Sequence, residues 1–218
     1  WTLMQLVGTE LGRDYGIEKY GLKSKYRILP REFGEYDGKK VFEIEKICVA
    51  TNTMDYQGYL NCRNYSFILK VLSHAIFLPI NKLTKKLGIS WFDFSRTLTK
   101  SLETNKVKGK FKDLYDEYCR ESRDELFDSK KEAVEFYSKP KNYKALVNGD
   151  IGENLHAKYQ AKTFLILKSV FEAIFNVLKD DFNKKNDPLT EIILSSSEKW
   201  LKNLYLIDAI MEKDLNTK

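Results

Sequence analysis

The sequence has few cysteines and no pair of them at a ligand-binding spacing. Cys48, Cys62 and Cys119 are an odd, widely spaced set, whereas a disulfide framework needs matched pairs. The pattern favours a reducing compartment, and we expect the cytoplasm. Zinc and iron–sulfur sites need Cys or His residues about two to four positions apart, and His74 and His156 are equally isolated. We therefore predict no metal site in this chain and cysteines that act as small, buried or semi-buried hydrophobic residues.

Long apolar runs are also missing. The most apolar window, residues 67–80, is interrupted by Lys70, Ser73 and His74, whereas a membrane-spanning helix needs about 20 apolar residues. We expect a buried helix here and no membrane span, and the first residues show no signal-peptide or transit-peptide pattern. Nucleotide fingerprints, phosphate loops and Ser/His/Asp constellations are absent as well.

Neither sign of charge forms a block. The 218 residues include 37 Lys and Arg and 31 Asp and Glu, which gives a formal charge of +6. Since no run of five or six like charges occurs, we expect a solvated, mixed-sign surface more than a nucleic-acid-binding arm. The length and the 43% hydrophobic content allow one large domain or two small ones.

An apolar stretch opens the chain. Residues 1–7 end at Gly8, Thr9 and Glu10, which predicts a strand buried on both faces, as in a parallel sheet covered by helices. The sequence beyond offers no further strands for such a sheet, and the chain begins at Trp1. We therefore expect the rest of the sheet to lie upstream in a longer protein. Because ligands bind at the carboxyl ends of parallel strands, the turn at Gly8, Thr9 and Glu10 is a candidate site for a polar ligand.

The remaining sequence changes from a mixed segment to a helical one. Residues 41–49 follow a glycine-rich turn and predict a strand, and from Met54 onward the apolar residues have a helical period. The predicted helices are one from about residue 56 that ends near Pro79, one capped by Ser90, one with a stripe at 111, 114, 115 and 118, one opened by the capping box of Ser129 and Glu132 and ending before Pro140, one from 153 to 183, and one starting at Asp187 and Pro188. We predict domains at 1–53 and 54–218, with a mainly α fold.

Residues 82–94 resemble a helix-turn-helix motif. Three lysines lie near the turn, but Trp91, Phe92 and Asp93 occupy the positions where Arg, Asn or Gln normally meet base edges. Ordinary helix packing is the stronger interpretation. Nucleic-acid binding through residues 82–100 stays open as an alternative function.

Arg27 and Arg31 stand on either side of Pro30. Together they could hold a carboxylate or phosphate. From residue type alone we favour the alternative, in which both arginines form salt bridges.

Several segments together resemble the C-terminal region of cobalamin-binding-domain radical SAM proteins. The resemblance rests on these stretches: LMQLVGTEL at 3–11, KYGLK at 19–23, YRILPR at 26–31, residues 45–54, Tyr59-Leu60-x-Cys62-Arg63, Glu121-x-x-x-Glu125-Leu126-Phe127, Gly149-x-x-Gly152-x-Asn154 and Lys158-Tyr159-x-Ala161. In that family the last strand of a partial (β/α)6 barrel often ends in Pro-Gly-Thr. Here Val7 replaces the proline.

The resemblance implies a last barrel strand, a linker strand or hairpin, and a helical accessory domain. It implies a parent enzyme that cleaves S-adenosylmethionine at a [4Fe–4S] cluster, with cobalamin as a candidate cofactor. Both the Cys-x3-Cys-x2-Cys loop and a cobalamin-binding domain are missing from this sequence, so we expect them upstream. Gly8, Thr9 and Glu10 would then be cofactor-binding residues at the barrel mouth, near S-adenosylmethionine or substrate, and Arg27, Arg31 and Asn52 would line a substrate cleft.

The resemblance also implies that the N-terminal remainder of the same protein is the partner of this chain and that its helices cover the active site. The substrate is unknown, and nucleic acid is not expected as a partner. The alternatives are a self-contained helical binding module and a truncated chain without function.

Overall fold

The computed structural model describes residues 3–182 and residue 188. These residues form a mainly helical fold with a small two-stranded antiparallel sheet, which confirms the predicted class at this level. In chain order the elements are α1 (Asp14–Tyr20), β1 (Lys23–Tyr36), β2 (Lys39–Ala50), α2 (Tyr56–Leu72), α3 (Leu78–Lys86), α4 (Trp91–Glu103), α5 (Lys110–Asp124), α6 (Lys130–Ser138), α7 (Pro140–Asn148), α8 (Leu155–Phe164) and α9 (Leu167–Asp180).

β1 and β2 form a hairpin closed by Asp37 and Gly38. Both turn residues have positive φ, 50° and 74°, which suits the right-handed twist of the paired strands. Asp-Gly is a favoured sequence for such a turn, since both residues tolerate this conformation. The predicted strand at 41–49 is confirmed as the central part of β2.

The opening segment corrects the prediction of a strand buried on both faces. The amide of Cys48 donates to the Leu3 carbonyl and the amide of Gln5 to the Lys46 carbonyl, both at 2.9 Å. The resulting bridge is antiparallel, not parallel, and involves Met4. The large apolar residues of the segment are exposed: Leu3, Met4, Leu6 and Val7. A strand needs neighbours on both edges to be buried, and the described residues supply one, β2. Trp1 and Thr2 lie outside the described residues.

Two predicted helix boundaries are wrong. α2 ends at Leu72, well before Pro79, which instead occupies the first turn of α3, where a proline needs no amide partner. The single helix predicted over 153–183 is divided, because Ile166 leaves the helical conformation with φ −131°. Residues 164–167 are all apolar, and the break leaves Leu165 exposed while Leu167 starts a newly buried stripe on α9.

Both predicted serine caps are confirmed. The Ser90 hydroxyl accepts a hydrogen bond from the Asp93 amide at 3.4 Å, and the Ser129 hydroxyl accepts one from the Glu132 amide at 3.1 Å. The Glu132 carboxylate accepts from the Asp128 amide at 3.0 Å, one residue before the amide of Ser129 that a standard capping box would use. The helix predicted to start at Asp187 and Pro188 falls outside the described range, apart from residue 188 itself.

The chain divides into two compact units, each made of two sequence segments. The described residues of the first unit are 3–63 and 118–158, and those of the second are 64–117 and 159–182. The first has two apolar clusters, around Ile28, Phe42, Phe127, Ala133, Tyr137 and Leu146 and around Ile47, Val49, Tyr59, Leu60 and Leu126. The predicted domain boundary after residue 53 stays a prediction. In the described part of the chain, no single helix has the length and apolar character that crossing a membrane requires.

Candidate functional site

Gly8, Thr9 and Glu10 form an exposed turn at the end of the opening segment. The Thr9 hydroxyl and amide both donate to the Leu6 carbonyl, at 2.7 and 3.2 Å, and Gly8 has φ 89°. The turn leads directly into a short 3-10 helix, Glu10–Gly12. The hydroxyl and amide of Thr9 are therefore engaged within the turn, and the Glu10 carboxylate is the group that it presents outward.

Two glycines allow the chain to fold tightly behind this turn. A Cβ on Gly12 would lie 2.0 Å from the Leu6 carbonyl oxygen, and one on Gly16 would lie 1.9 Å from the Glu10 carbonyl oxygen. Real Cβ atoms do not approach backbone oxygens so closely, so both positions require glycine for this packing. The position of Glu10 against α1 depends on them.

The Glu10 carboxylate contacts two side chains at the end of α1. Its Oε1 accepts from Lys19 Nζ at 3.4 Å and from the Tyr20 hydroxyl at 3.2 Å. The Lys19 ammonium also lies 4.8 Å from the centre of the Tyr20 ring. The pKa of Lys19 is raised above its ordinary value, first by its hydrogen bond with Tyr20 and then by that with Glu10. The cation therefore stays charged beside the carboxylate.

Asn52 joins the same two residues from the turn after β2. Its side-chain amide donates to the Lys19 carbonyl at 3.1 Å, and its backbone amide donates to the Tyr20 carbonyl at 2.9 Å. These bonds satisfy carbonyls that the end of α1 leaves open. Gly21 ends the helix at φ 59°, and a Cβ there would lie 1.9 Å from Asn52 Oδ1. We call Glu10, Lys19, Tyr20 and Asn52 the Glu10–Asn52 surface.

An open depression of about 510 Å³ adjoins Asn52 and is lined by residues 51–55 and Gly58. The Thr51 hydroxyl accepts from the Thr53 and Met54 amides, each at 3.2 Å, and Asp55 caps α2 by accepting from the Gly58 amide at 2.7 Å. Hydroxyl, amide and carboxylate groups thus surround the depression. Among its lining residues, sequence reasoning found Asn52 alone.

Arg27 lies apart from this surface, in an ion cluster of the first unit. Its Nε lies 2.5 Å from Glu45 Oε1 and its Nη1 3.3 Å from Glu125 Oε1. The same Glu125 oxygen accepts from Arg63 Nη2, and Arg63 Nη1 donates to the Ser122 carbonyl at 3.2 Å. The favoured prediction for Arg27, a salt bridge, is thereby confirmed. Through these contacts Glu125 connects β1, α2 and the end of α5. We call the four residues Arg27, Glu45, Arg63 and Glu125 the Glu125 cluster.

Burial sets the electrostatics of the Glu125 cluster. The cost of burial lowers the pKa of Arg63, but the Glu125 carboxylate and two nearby tyrosines outweigh it, so the net shift is upward. Burial raises the pKa of Tyr118 to about 12, and its hydroxyl donates to the Arg63 carbonyl at 3.3 Å. Two cations and two anions balance one another, which is the arrangement that a buried ion cluster needs. The cluster is structural, and we assign it no catalytic step.

Arg31 is separate again. It has φ 68° in the irregular part of β1, its side chain is 82% exposed, and its Nε lies 3.5 Å from Glu153 Oε1. The structure therefore pairs Arg27 and Arg31 with different carboxylates and does not join them into one anion-binding fork. Sequence reasoning missed the carboxylates that pair with these two arginines: Glu45, Glu125 and Glu153. The visible signal was Glu45, which lies with Lys46 between the apolar residues Ile44 and Ile47 of β2.

Metal binding was tested against the described residues as well. Within residues 3–182, there is no group of three or more His, Cys, Asp or Glu side chains close enough together to bind a metal ion. Cys48 is buried and Cys119 is partly buried, as predicted, but Cys62 is exposed, so its prediction as a buried or semi-buried residue is wrong. Comparison with protein-family models gave no match, and comparison with curated proteins gave none either.

Proposed function

We propose that the chain is the C-terminal portion of a cobalamin-type radical SAM enzyme, with the Glu10–Asn52 surface beside the active site. The segments that resemble this family run from residue 3 to residue 161. In the parent enzyme the [4Fe–4S] cluster would start radical chemistry on S-adenosylmethionine, and its ligands would lie outside this chain. No step of that chemistry is assigned to the residues described here.

The observation that carries the proposal is the uncovered apolar edge at residues 3–7. One edge of this segment pairs with β2, while Val7 is 99% exposed and Leu6 is 54% exposed. Contiguous exposed apolar side chains mark surfaces that another part of a protein covers, and residues 3–7 bear no charge. This exposed apolar segment supports the proposal that a further part of the protein covers it, because the last strand of a barrel needs a neighbouring strand and covering helices.

The proposed roles follow from the local contacts. Thr9 and Glu10 would stand at the ligand-facing end of that strand, near S-adenosylmethionine or substrate. Asn52 would position Glu10 indirectly, since both residues bind Lys19 and Tyr20. In the substrate cleft, Arg31 would be the available cation, whereas Arg27 would hold the wall through the Glu125 cluster. The predicted helical domain, 54–218, would exclude water from the radical intermediate.

The test begins with the coding sequence upstream of Trp1. We expect an in-frame Cys-x3-Cys-x2-Cys motif, and the longer protein, reconstituted with iron and sulfide and then reduced, should convert S-adenosylmethionine to 5′-deoxyadenosine. Replacing the three motif cysteines by alanine should abolish this product. A longer reading frame without the motif, or a reconstituted protein without 5′-deoxyadenosine formation, would refute the proposal.

A further inference from the structure

The positive charge of the chain is concentrated in one stretch of the second unit. Residues 70–112 contain 10 of the 37 Lys and Arg residues but 2 of the 31 Asp and Glu residues, Asp93 and Glu103. Their net charge of +8 therefore exceeds the +6 of the whole chain. The expectation of an evenly mixed surface does not hold for this stretch.

Most of these cations make no ion pair with a described carboxylate. Lys106 pairs with Asp181 at 2.7 Å, and Lys112 pairs with Asp116. The rest are exposed and have no such partner within residues 3–182: Lys70, Lys82, Lys85, Lys86, Arg96, Lys100, Lys108 and Lys110. Charges that do not stabilise the fold are available to a partner of opposite charge.

On α3 and α4 the cations follow a large exposed apolar residue along one helix face. On α3, Leu78 is followed by Lys82 and Lys85, at i+4 and i+7. On α4, Phe92 is followed by Arg96 and Lys100, at i+4 and i+8. These spacings place each set on one stripe of its helix. Leu78 and Phe92 are each 57% exposed, while the opposite faces bury residues such as Leu83 and Leu98.

We propose that these two stripes attach the second unit to the surface of an anionic lipid bilayer. Lysine and arginine are attracted to lipid phosphates, and Leu and Phe side chains enter the boundary between headgroups and acyl chains. A nucleic acid fits less well. An aliphatic Leu78 has no aromatic face on which a base can stack, whereas it can enter the boundary between headgroups and acyl chains of a bilayer. The proposal does not depend on the radical SAM assignment.

The test is co-sedimentation of the full chain with vesicles. We expect binding to phosphatidylcholine mixed with phosphatidylglycerol, little binding to phosphatidylcholine alone, and weaker binding as salt is added. Each lysine near the surface changes partitioning by about fivefold, so Lys82→Gln/Lys85→Gln/Lys86→Gln should lower it about 100-fold. Leu78→Ser/Phe92→Ser should also lower binding, although the net charge is unchanged.

The matched control removes three exposed lysines of the first unit, Lys139→Gln/Lys141→Gln/Lys144→Gln, and should bind like the wild type. Circular dichroism would establish that every variant is folded. Equal loss in the control would overturn the proposal, because net charge alone would then account for binding. So would an absence of vesicle binding at low salt. Tighter binding to DNA or RNA than to vesicles, unaffected by Leu78→Ser/Phe92→Ser, would assign the surface to nucleic acid and also overturn the proposal.

Discussion

The two units use charged residues in opposite ways. In the first unit, Arg27, Glu45, Arg63 and Glu125 are largely withdrawn from water and paired with one another. In the second, lysines such as Lys82 and Lys85 extend into solvent without a described partner. Buried charge is tolerated when each ion has its counterion, whereas exposed charge contributes little to stability. The first arrangement therefore holds the fold together, and the second is free to serve binding.

The comparison is tested most strongly at Glu125, since it accepts from both arginines. Glu125→Gln keeps the shape of the side chain, but it leaves the buried Arg63 guanidinium without its carboxylate partner and leaves Arg27 with Glu45 as its carboxylate partner. We expect the free energy of unfolding to fall by about 3 to 5 kcal/mol, measured by urea denaturation at neutral pH.

Its control is Glu135→Gln, which breaks the exposed pair with Lys131 at 3.8 Å and should cost no more than about 0.5 kcal/mol. Equal losses in the two variants would mean that the Glu125 cluster contributes no more than an exposed ion pair.

The second largest effect is expected at Gly21, where charge is not involved. Gly21→Ala must adopt φ 59° and meet Asn52 Oδ1, so we expect a loss of about 2 kcal/mol from backbone strain and overpacking together. Gly38→Ala is the matched control: its φ of 74° is also positive, but no atom lies within 4 Å of the added methyl group. The difference between the two, measured by thermal unfolding, isolates the contact with Asn52. If the melting temperature falls equally in both variants, the Asn52 side chain moves away from the added methyl group at little cost, and Asn52 does not fix the end of α1.

Local features were predictable from the sequence and partner choice was not. Ser90 and Ser129 were recognisable as caps because a cap depends on residues within one turn. The partners of Arg27 lie 18 and 98 positions away, beyond the reach of any local pattern. The break at Ile166 carries no glycine or proline signal in residues 153–183 that would have located it. The clustering of lysine in 70–112 was visible in the sequence, but a search for runs of like charge misses charges spaced along helix faces.

A smaller effect is expected from Tyr118, and it depends on pH. Burial raises its pKa to about 12, whereas an unfolded tyrosine ionises near pH 10. The stability from keeping this hydroxyl protonated is thus fully present below about pH 10 and is lost as pH rises through about 12. Tyr118→Phe should cost about 1 kcal/mol at pH 8, through the lost hydrogen bond to the Arg63 carbonyl. Urea denaturation should show a smaller loss between pH 8 and pH 11 in the variant than in the wild type. Parallel curves would show that Tyr118 does not titrate in this way.

The smallest effect has the opposite sign and lies in the second unit. Lys82 and Lys86 are exposed at i, i+4 on α3, where like charges repel by a few tenths of a kcal/mol. Lys82→Gln should therefore raise the free energy of unfolding by about 0.3 kcal/mol at low salt, and salt at about 1 M should remove the gain by screening. Lys106→Gln, which loses the pair with Asp181, should instead lower stability by about 0.5 kcal/mol. Differential scanning calorimetry on both variants measures whether the free energy of unfolding rises or falls in each. A loss of stability in Lys82→Gln would mean that this lysine stabilises the folded state. The distinction between stabilising paired charges and unpaired charges available for binding would then be wrong for Lys82, the first cation of the proposed lipid-binding stripe on α3.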